Sequence, residues 1–531
     1  MLLIIWALVL VAAAVEYIRR TYTLFTRQGV KQIAPVPLLG DMTPLLLRKE
    51  HFTKHMERIY NENSGERFVG RYEFTKPTLF LRDIELLKKI TVKDFEHFLD
   101  HKTFIDEHTD TMFGRSLFSL KGQEWKDMRS TLSPAFTSSK MKLMMPFMVE
   151  VGEQMIQALK KKITDSGVGY VDIDCKDLTT RYANDVIASC AFGLKVDSIT
   201  EENNQFYAMG KTASTFTFKQ NLVFFAYSVI PKIIQMLNIT FVSDETKNFF
   251  TDLVTSTMKD RVARHIIRPD MINILMEVKK GKISHEENST KDIDAGFATV
   301  EESAVGLKEV NRVWSDDDLV AQAFLFFIAG FETVSSAMSF LLHEIAVNPD
   351  VQERLYQEIK DNKANNGGKF DYNSIQQLKY MDMVVSETLR LWPPAVILDR
   401  LCIKDYNMGK PNNKADKDFI CRKGQSLVIP VWALHRDPQY FPNPDKFDPE
   451  RFSDENKHNI KPFTYLPFGL GPRNCIGSRF ALIEVKVMMY LLLEHLEVSP
   501  CEKTCIPAVL DKSTFSMMMH GGHWIRLKVR Q

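Results

Sequence analysis

The stretch Phe468-Gly469-Leu470-Gly471-Pro472-Arg473-Asn474-Cys475-Ile476-Gly477 decides how this chain is read. Its glycines and proline make a tight loop whose backbone can approach a flat surface closely. Beyond it Ile476, Phe480, Ile483, Val487 and Leu491 recur every three or four residues, the period of an amphipathic helix. Cys475 is therefore expected at a helix N-terminus, where the dipole and free N–H groups lower a thiol pKa. A thiolate shielded by Phe468 and held by backbone donors suits a soft metal ligand. A lone cysteine is more often buried and structural, so the reading needs support from the rest of the chain.

Upstream, Ser315-Asp316-Asp317-Asp318 reads as a capping box opening a long apolar helix to about Val347, stopped by Asn348-Pro349. Only 13 residues separate Asp318 from Glu332, short of the ~20 a membrane span needs. A buried core helix is the better reading. It carries Ala329-Gly330-Phe331-Glu332-Thr333. Gly330 removes a side chain where a helix crosses a ligand. Thr333 offers a hydroxyl, and Glu332 an ionisable acid beside it in sequence. Taken alone, that threonine would be back-bonded within its own helix. Glu387 and Arg390 sit three apart on a helix ending at Trp392-Pro393-Pro394. Such pairs are usually solvated and worth a few tenths of a kcal/mol.

These motifs gain weight together. The pattern Phe468-x-x-Gly471-x-Arg473-x-Cys475-x-Gly477 resembles the haem-binding signature of the cytochrome P450 superfamily at every fixed position, and other signatures follow in order along the chain. The resemblance implies a mainly α fold with a small β-rich subdomain, haem b held between two long helices, and Cys475 as the thiolate ligand of the iron. Phe468, Gly469 and Gly477 belong to the cofactor loop by the same implication. Glu387 and Arg390 match the Glu-x-x-Arg of the family. Arg451, in Phe447-Asp448-Pro449-Glu450-Arg451-Phe452, matches the arginine that joins that pair beneath the haem. Breaking this network should strand a buried charge. Ala329, Gly330, Glu332 and Thr333 resemble the oxygen-activation motif, in which a hydroxyl relay backed by an acid delivers protons and the thiolate opposite favours O–O cleavage. Val334 departs from the Thr or Ser often found there, which thins the relay. Trp125 and Arg129 match the Trp-x-x-x-Arg that contacts a propionate; Arg473 and Arg400 match further propionate arginines, and His101 corresponds more roughly. Phe104, Phe113, Phe118, Phe324, Ile328 and Phe515 fall in segments that line the family's substrate pocket, whose apolar walls favour a lipophilic substrate. Phe98 and Phe327 lie in the same segments. The chain most resembles the insect branch allied to vertebrate drug-metabolising families, which implies xenobiotic or lipid-like substrates.

Bulk properties agree. With 531 residues, 45% of them apolar, the chain can bury a large core. A net charge of +1 argues against nucleic acid as a partner. Seven scattered cysteines without C-x-x-C spacing argue against a disulfide framework and fit a reducing compartment. Cys501 and Cys505 could be half of a metal site, without a second half. Residues 1–18 read as a membrane anchor: Met1 to Val15 is uncharged, and Arg19, Arg20, Arg27 and Lys31 hold the following chain on the cytoplasmic side of the endoplasmic reticulum membrane. Residues 19–40, with Pro35 and Pro37, read as a basic, stiff linker, and 41–531 as the catalytic domain. Residues 67–82 read as two short strands around Lys76-Pro77. Residues 280–312 read as a mobile surface loop. The apolar stretch from Leu222 to Ile234 is either core or an element that dips into the bilayer.

No G-x-G-x-x-G follows a strand, so electrons are expected from outside the chain. The resemblance implies an NADPH-dependent flavoprotein reductase, with cytochrome b5 as a second donor; Lys126, Lys140 and Lys142 are the candidate docking charges. Two alternatives stay open at this level: a haem-thiolate isomerase or dehydratase that needs no external electrons, and a non-enzymatic haem sensor.

Overall fold

The computed structural model describes residues 2–102, 105, 107, 110–214, 226–227, 230–237, 239–240, 242–279, 296–308 and 312–531. It begins with a helix, α1 (Leu2–Tyr22), whose apolar side chains Ile4, Trp6, Leu8, Leu10 and Val11 are exposed. The segment after it is docked rather than a free hinge. The Tyr22 hydroxyl donates to the Phe74 carbonyl at 3.0 Å, Phe25 is fully buried, and the Ile33 N–H donates to the Gly70 carbonyl at 2.9 Å.

The sheet carrying Gly70 contains two strands where they are expected, but the turn falls at Phe74-Thr75, with Lys76 and Pro77 already paired in the second strand. Strand β1 (Phe68–Glu73) pairs antiparallel with β2 (Lys76–Leu81), Phe68 opposite Leu81. Further along come α2 (Gly122–Leu132), α3 (Ser138–Asp165), β3 (Tyr170–Asp174), α4 (Cys175–Ile187), α5 (Asp316–Val347), α6 (Lys379–Leu391), and strands β4 (Leu398–Leu401), β5 (Tyr406–Gly409), β6 (Phe419–Cys421) and β7 (Ser426–Ile429). The chain closes with α7 (Ser478–His495), β8 (Leu496–Ser499) and β9 (Trp524–Val529). Three small sheets result, ordered β1-β2-β7-β4, β3-β9-β8 and β5-β6. In the first, β2 runs parallel to β7, and the Thr78 and Ser426 hydroxyls share a hydrogen bond of 2.9 Å across the pair. In the second, Asp172 of β3 faces Arg526 of β9, an ion pair of 2.7 Å that ties the middle of the chain to its end.

The long helix α5 starts where the sequence places it. Ser315 Oγ accepts from the Asp318 N–H at 3.2 Å, while the Ser315 N–H donates to Asp318 Oδ2 at 2.8 Å. Three aspartates in the first turn complement the positive end of the dipole. Pro349 forbids continuation, because its ring clashes with the preceding turn. By length and composition alone α5 could cross a membrane; instead Leu319, Ala321, Phe327, Met338, Phe340 and Leu342 are buried in the core. Helix α7 corrects the amphipathic expectation. Leu482, Val485, Lys486, Met488 and Met489 are buried as well as Ile483 and Val487, because α3 packs on one side of the helix and α5, α6 and the helix Pro349–Asn365 on the others.

The polar stretch 280–312 divides. Residues 280–295 and 309–311 lie outside the described residues, but the part between is packed, with Phe297 5.1 Å from the Phe452 ring and Glu302 paired to Arg129 at 2.6 Å. Of the apolar stretch from Leu222 to Ile234, residues 222–225 and 228–229 lie outside the described residues; in the rest Tyr227 and Ile234 are buried while Ile230 and Ile233 are exposed.

Candidate active site

The cysteine loop is shaped by two backbone conformations that only glycine adopts cheaply. Gly469 and Gly471 have φ of 77° and 67°, and a Cβ on Gly471 would lie 1.9 Å from the Thr91 carbonyl oxygen. The chain then folds back so that the Cys475 N–H donates to the Phe468 carbonyl at 2.8 Å. Helix α2 grips the loop from the side: Arg129 donates to the Asn474 carbonyl at 2.7 Å and to its side chain at 2.8 Å. Arg473 donates to the carbonyls of Leu99 and Leu120, each at 2.8 Å, and lies 4.0 Å over the Trp125 ring. Arg400 on β4 reaches the Leu470 carbonyl at 3.3 Å.

Underneath, Glu387 and Arg390 are a fully buried pair at 2.7 Å, not the solvated pair their spacing alone suggests. Glu387 also accepts from the Asp448 N–H at 2.9 Å and meets Arg451 at 3.4 Å. A residue the sequence reading missed connects this network to the loop. His435 lies between them, its Nδ1 3.1 Å from the Arg390 carbonyl and its Nε2 accepting from the Leu466 N–H at 2.8 Å. Burial, and then the Arg390 charge, push its pKa down to about 3, so the ring is neutral. Nothing in the sequence distinguished it from an ordinary core histidine.

This neutrality has a measurable sign. In the unfolded chain His435 takes up a proton near its ordinary value of 6.5, while in the fold it does not until about 3. Its contribution is therefore complete above about pH 6.5 and declines as pH falls toward 3. His435→Phe should cost about 1–3 kcal/mol at pH 7.5 by orphaning the Leu466 N–H. The Tm gap between the two proteins should narrow at pH 5; a gap that does not change between the two pH values would refute the assignment.

Above the loop lies a cavity of about 380 Å³. One wall is Phe468, Gly469, Cys475 and Gly477; the opposite wall is Ala329, Gly330, Thr333 and Val334 of α5. His101, Trp125, Arg129 and Arg473 line the same space. Cys475 is exposed to this cavity, with protein packed densely around the loop that carries it. Burial pushes its thiol above the ordinary value, with the Gly477 N–H and Arg129 pulling the other way. The expected lowering by the helix end is thus outweighed, and Cys475 precedes the Gly477 N-cap of α7 by two residues. A bound metal cation would supply what the dipole does not, since a coordinating thiol is deprotonated outright.

Thr333 faces the cavity and also donates to the Ala329 carbonyl at 2.6 Å, which leaves its oxygen lone pairs for an acceptor role toward a ligand. Gly330 serves two neighbours: it lines the cavity, and a Cβ there would meet Ile187 of α4 at 2.8 Å. Glu332 is not brought to the cavity. Its carboxylate lies 3.2 Å from Lys176 Nζ on α4 and accepts from Ser336 at 3.3 Å, and Lys176 also donates to Ser335 at 2.7 Å.

The substrate-pocket expectations fare unevenly. Phe118 lines the cavity, stacked on His101 at 4.6 Å. Phe113 stands behind it at 6.1 Å. Phe104 lies outside the described residues. Phe324 is core, 5.2 Å from the Phe250 ring, and Ile328 packs against the same core. The residues of α5 that reach the cavity are Leu325 and Phe326, which precede Ala329, Gly330 and Thr333 at helical spacing. Phe515 packs near Phe52, beside Met42, Leu45 and Phe74, in a separate cluster away from the cavity. Phe136, Ile187, Val385, Leu398 and Phe480, none of them expected at the pocket from the sequence, add to the apolar lining. Cys501 and Cys505 are free thiols with no metal-ligand cluster among the described residues.

Haem fits these residues on a specific observation. Three guanidiniums, Arg129, Arg400 and Arg473, crowd one side of the site. Burial, then the Arg400 charge, hold Arg473 well below its ordinary value, with Asp100 and Asp399 opposing. Arg400 is lowered by burial as well, and His101 by burial against the pull of Asp399. Glu302 answers Arg129 at 2.6 Å and Asp100 lies 3.6 Å from Arg473, yet burial still depresses Arg400 and Arg473; a flat macrocycle with two carboxylates would add the counter-charge this side of the site favours.

The sulfur, the helical threonine and the cation rim define the class, and the chain belongs to the cytochrome P450 family, whose model matches residues 32–525. It is accordingly a haem-containing monooxygenase, with the cysteine thiolate ligand that membership implies. It is 46% identical over 518 residues to Cytochrome P450 9e2 of Blattella germanica, covering 95% of this chain and 94% of that protein. Cytochrome P450 9b2 of Drosophila melanogaster is 37% identical over 96% of this chain and 95% of its own length. Cytochrome P450 6k1 of Blattella germanica is likewise 37% identical, over 97% and 94%.

Proposed function

We propose that the chain takes electrons from NADPH through a separate flavoprotein reductase and inserts one atom of dioxygen into a lipophilic substrate, xenobiotic or lipid-like, while residues 1–18 hold it in the endoplasmic reticulum membrane. The observation that carries this reading is a single apolar cavity with Cys475 on one wall and Thr333 on the other. Haem b, when bound, supplies the redox centre at which dioxygen is activated. Cys475 would hold the iron, while Arg129, Arg473, Arg400, Trp125 and His101 would take the propionates. Phe118, Leu325 and Phe326 exclude water and present apolar surface to substrate. Thr333 Oγ1, its own proton donated to the Ala329 carbonyl, presents acceptor lone pairs at the cavity wall through which a proton is held and oriented, while the Glu332–Lys176 pair stands off the cavity between α5 and α4.

The reduced, CO-bound protein should show the far red-shifted Soret band of sulfur ligation, and a histidine-like band would refute the ligand. Omitting NADPH or reductase should stop product formation; turnover without them would favour the isomerase reading. Thr333→Ala should lower product formed per NADPH consumed by about tenfold or more, measured beside total NADPH oxidation. Unchanged coupling would remove Thr333 from the proton path. Lys126 already pairs with Glu96 at 2.6 Å, so Lys140 and Lys142 are the better docking charges.

A further inference from the structure

Two buried thiols lie outside the cavity and have no part in that chemistry. Cys402 follows β4 and Cys421 ends β6; both are fully buried, while Lys404, Arg422 and Lys423 around them are exposed. The backbone brings them together. The Gly424 N–H donates to the Cys402 carbonyl at 2.7 Å, the Cys402 N–H to the Gln425 carbonyl at 2.9 Å, and Cys421 stands opposite Tyr406 in the β5–β6 pair. Cys402 Sγ is consequently 3.6 Å from the Cys421 carbonyl oxygen and 3.0 Å from that of Lys404. The Cys402 thiol donates to both of these carbonyls, which sets it against the Cys421 backbone.

We infer that Cys402 and Cys421 form a reversible disulfide when the protein meets hydrogen peroxide. The Cys402 sulfur attacks one peroxide oxygen, the O–O bond breaks, and water leaves a sulfenic acid behind. The Cys421 sulfur then attacks Cys402, forming the S–S bond and releasing a second water. Two thiols lose two electrons and two protons, and one peroxide becomes two waters. The order of roles follows from position: the Cys402 sulfur lies at the turn that carries the exposed Lys404, and it lies against the Cys421 backbone, so Cys402 is the attacking sulfur and Cys421 the resolving one. The site is placed to matter. Asp399 and Arg400 lie on β4 just before Cys402, and Asp399 holds His101 at 2.9 Å on the cavity wall. A covalent tie at position 402 pins the far end of that strand.

The test uses full-length, haem-loaded protein, graded hydrogen peroxide, alkylation under denaturing conditions, and peptide mass spectrometry. A linked pair containing Cys402 and Cys421, about 2 Da lighter than the two thiol peptides, should appear at doses that leave Cys175 and Cys190 alkylated. It should vanish on treatment with dithiothreitol. In Cys421→Ala, dimedone should trap Cys402 as its sulfenic acid; if that variant does not fold, the wild-type peptides decide alone. The proposal is overturned if both thiols stay alkylated while Cys501 and Cys505 oxidise, or if Cys402 pairs elsewhere.

Discussion

Cys475→Ser is expected to fold and to lose every signature of a sulfur-ligated cofactor. The side chain at 475 projects into the cavity rather than into packed core, and its loop is held by backbone bonds and by Arg129 and Arg473. The exchange therefore removes no packing, and Tm of the unloaded protein should change little, as for substitutions away from packed contacts, within about 0.5 kcal/mol. The chemistry changes completely. A serine hydroxyl stays protonated where a thiol beside a metal does not, and oxygen is a hard ligand where sulfur is soft. The red-shifted band of the reduced, CO-bound form should disappear, and NADPH-supported oxygen insertion should fall to background. Persistence of either in a correctly folded variant would place the iron ligand elsewhere.

Glu387→Gln should have the largest effect on the fold itself. Its carboxylate is fully buried and meets Arg390, Arg451 and the Asp448 N–H together. Neutralising it strands two guanidiniums, one of them with no solvent exposure, and such losses cost about 3–5 kcal/mol. Against a total stability of about 5–15 kcal/mol, that removes a large fraction. Because His435 joins Arg390 to Leu466 at the head of the cysteine loop, the damage should reach the cofactor site. Thermal unfolding should shift sharply downward, with haem content falling in parallel. A variant with unchanged Tm and full haem would mean that this pair is dispensable to the fold.

What the sequence made legible was local. Capping at Ser315, the stop at Pro349, the hairpin strands within 67–82 and the glycines before Cys475 are all dictated by residues near one another in the chain. What it hid depends on partners far away. The face of α5 that meets the cavity is set by which side α4 occupies, so Leu325 and Phe326 line it where Phe324 and Ile328 were expected. Glu332 is drawn toward a lysine on another helix, more than 150 positions earlier. His435 acquires its role only once Arg390 and Leu466 are brought to either side of it. Phe515 belongs to a cluster built by the N-terminal segment, and no spacing within its own neighbourhood reveals that.

The small sheet that joins β3 to β9 sets a schedule for biosynthesis. Asp172 and its partner Arg526 are separated by 354 positions, and at about 5–20 residues per second the ribosome needs roughly 20–70 s to cross that gap. During that interval the edge of the nascent mid-chain strand has no mate, and chaperones have their longest opportunity to hold it. Completion of this sheet therefore waits until synthesis has passed β9.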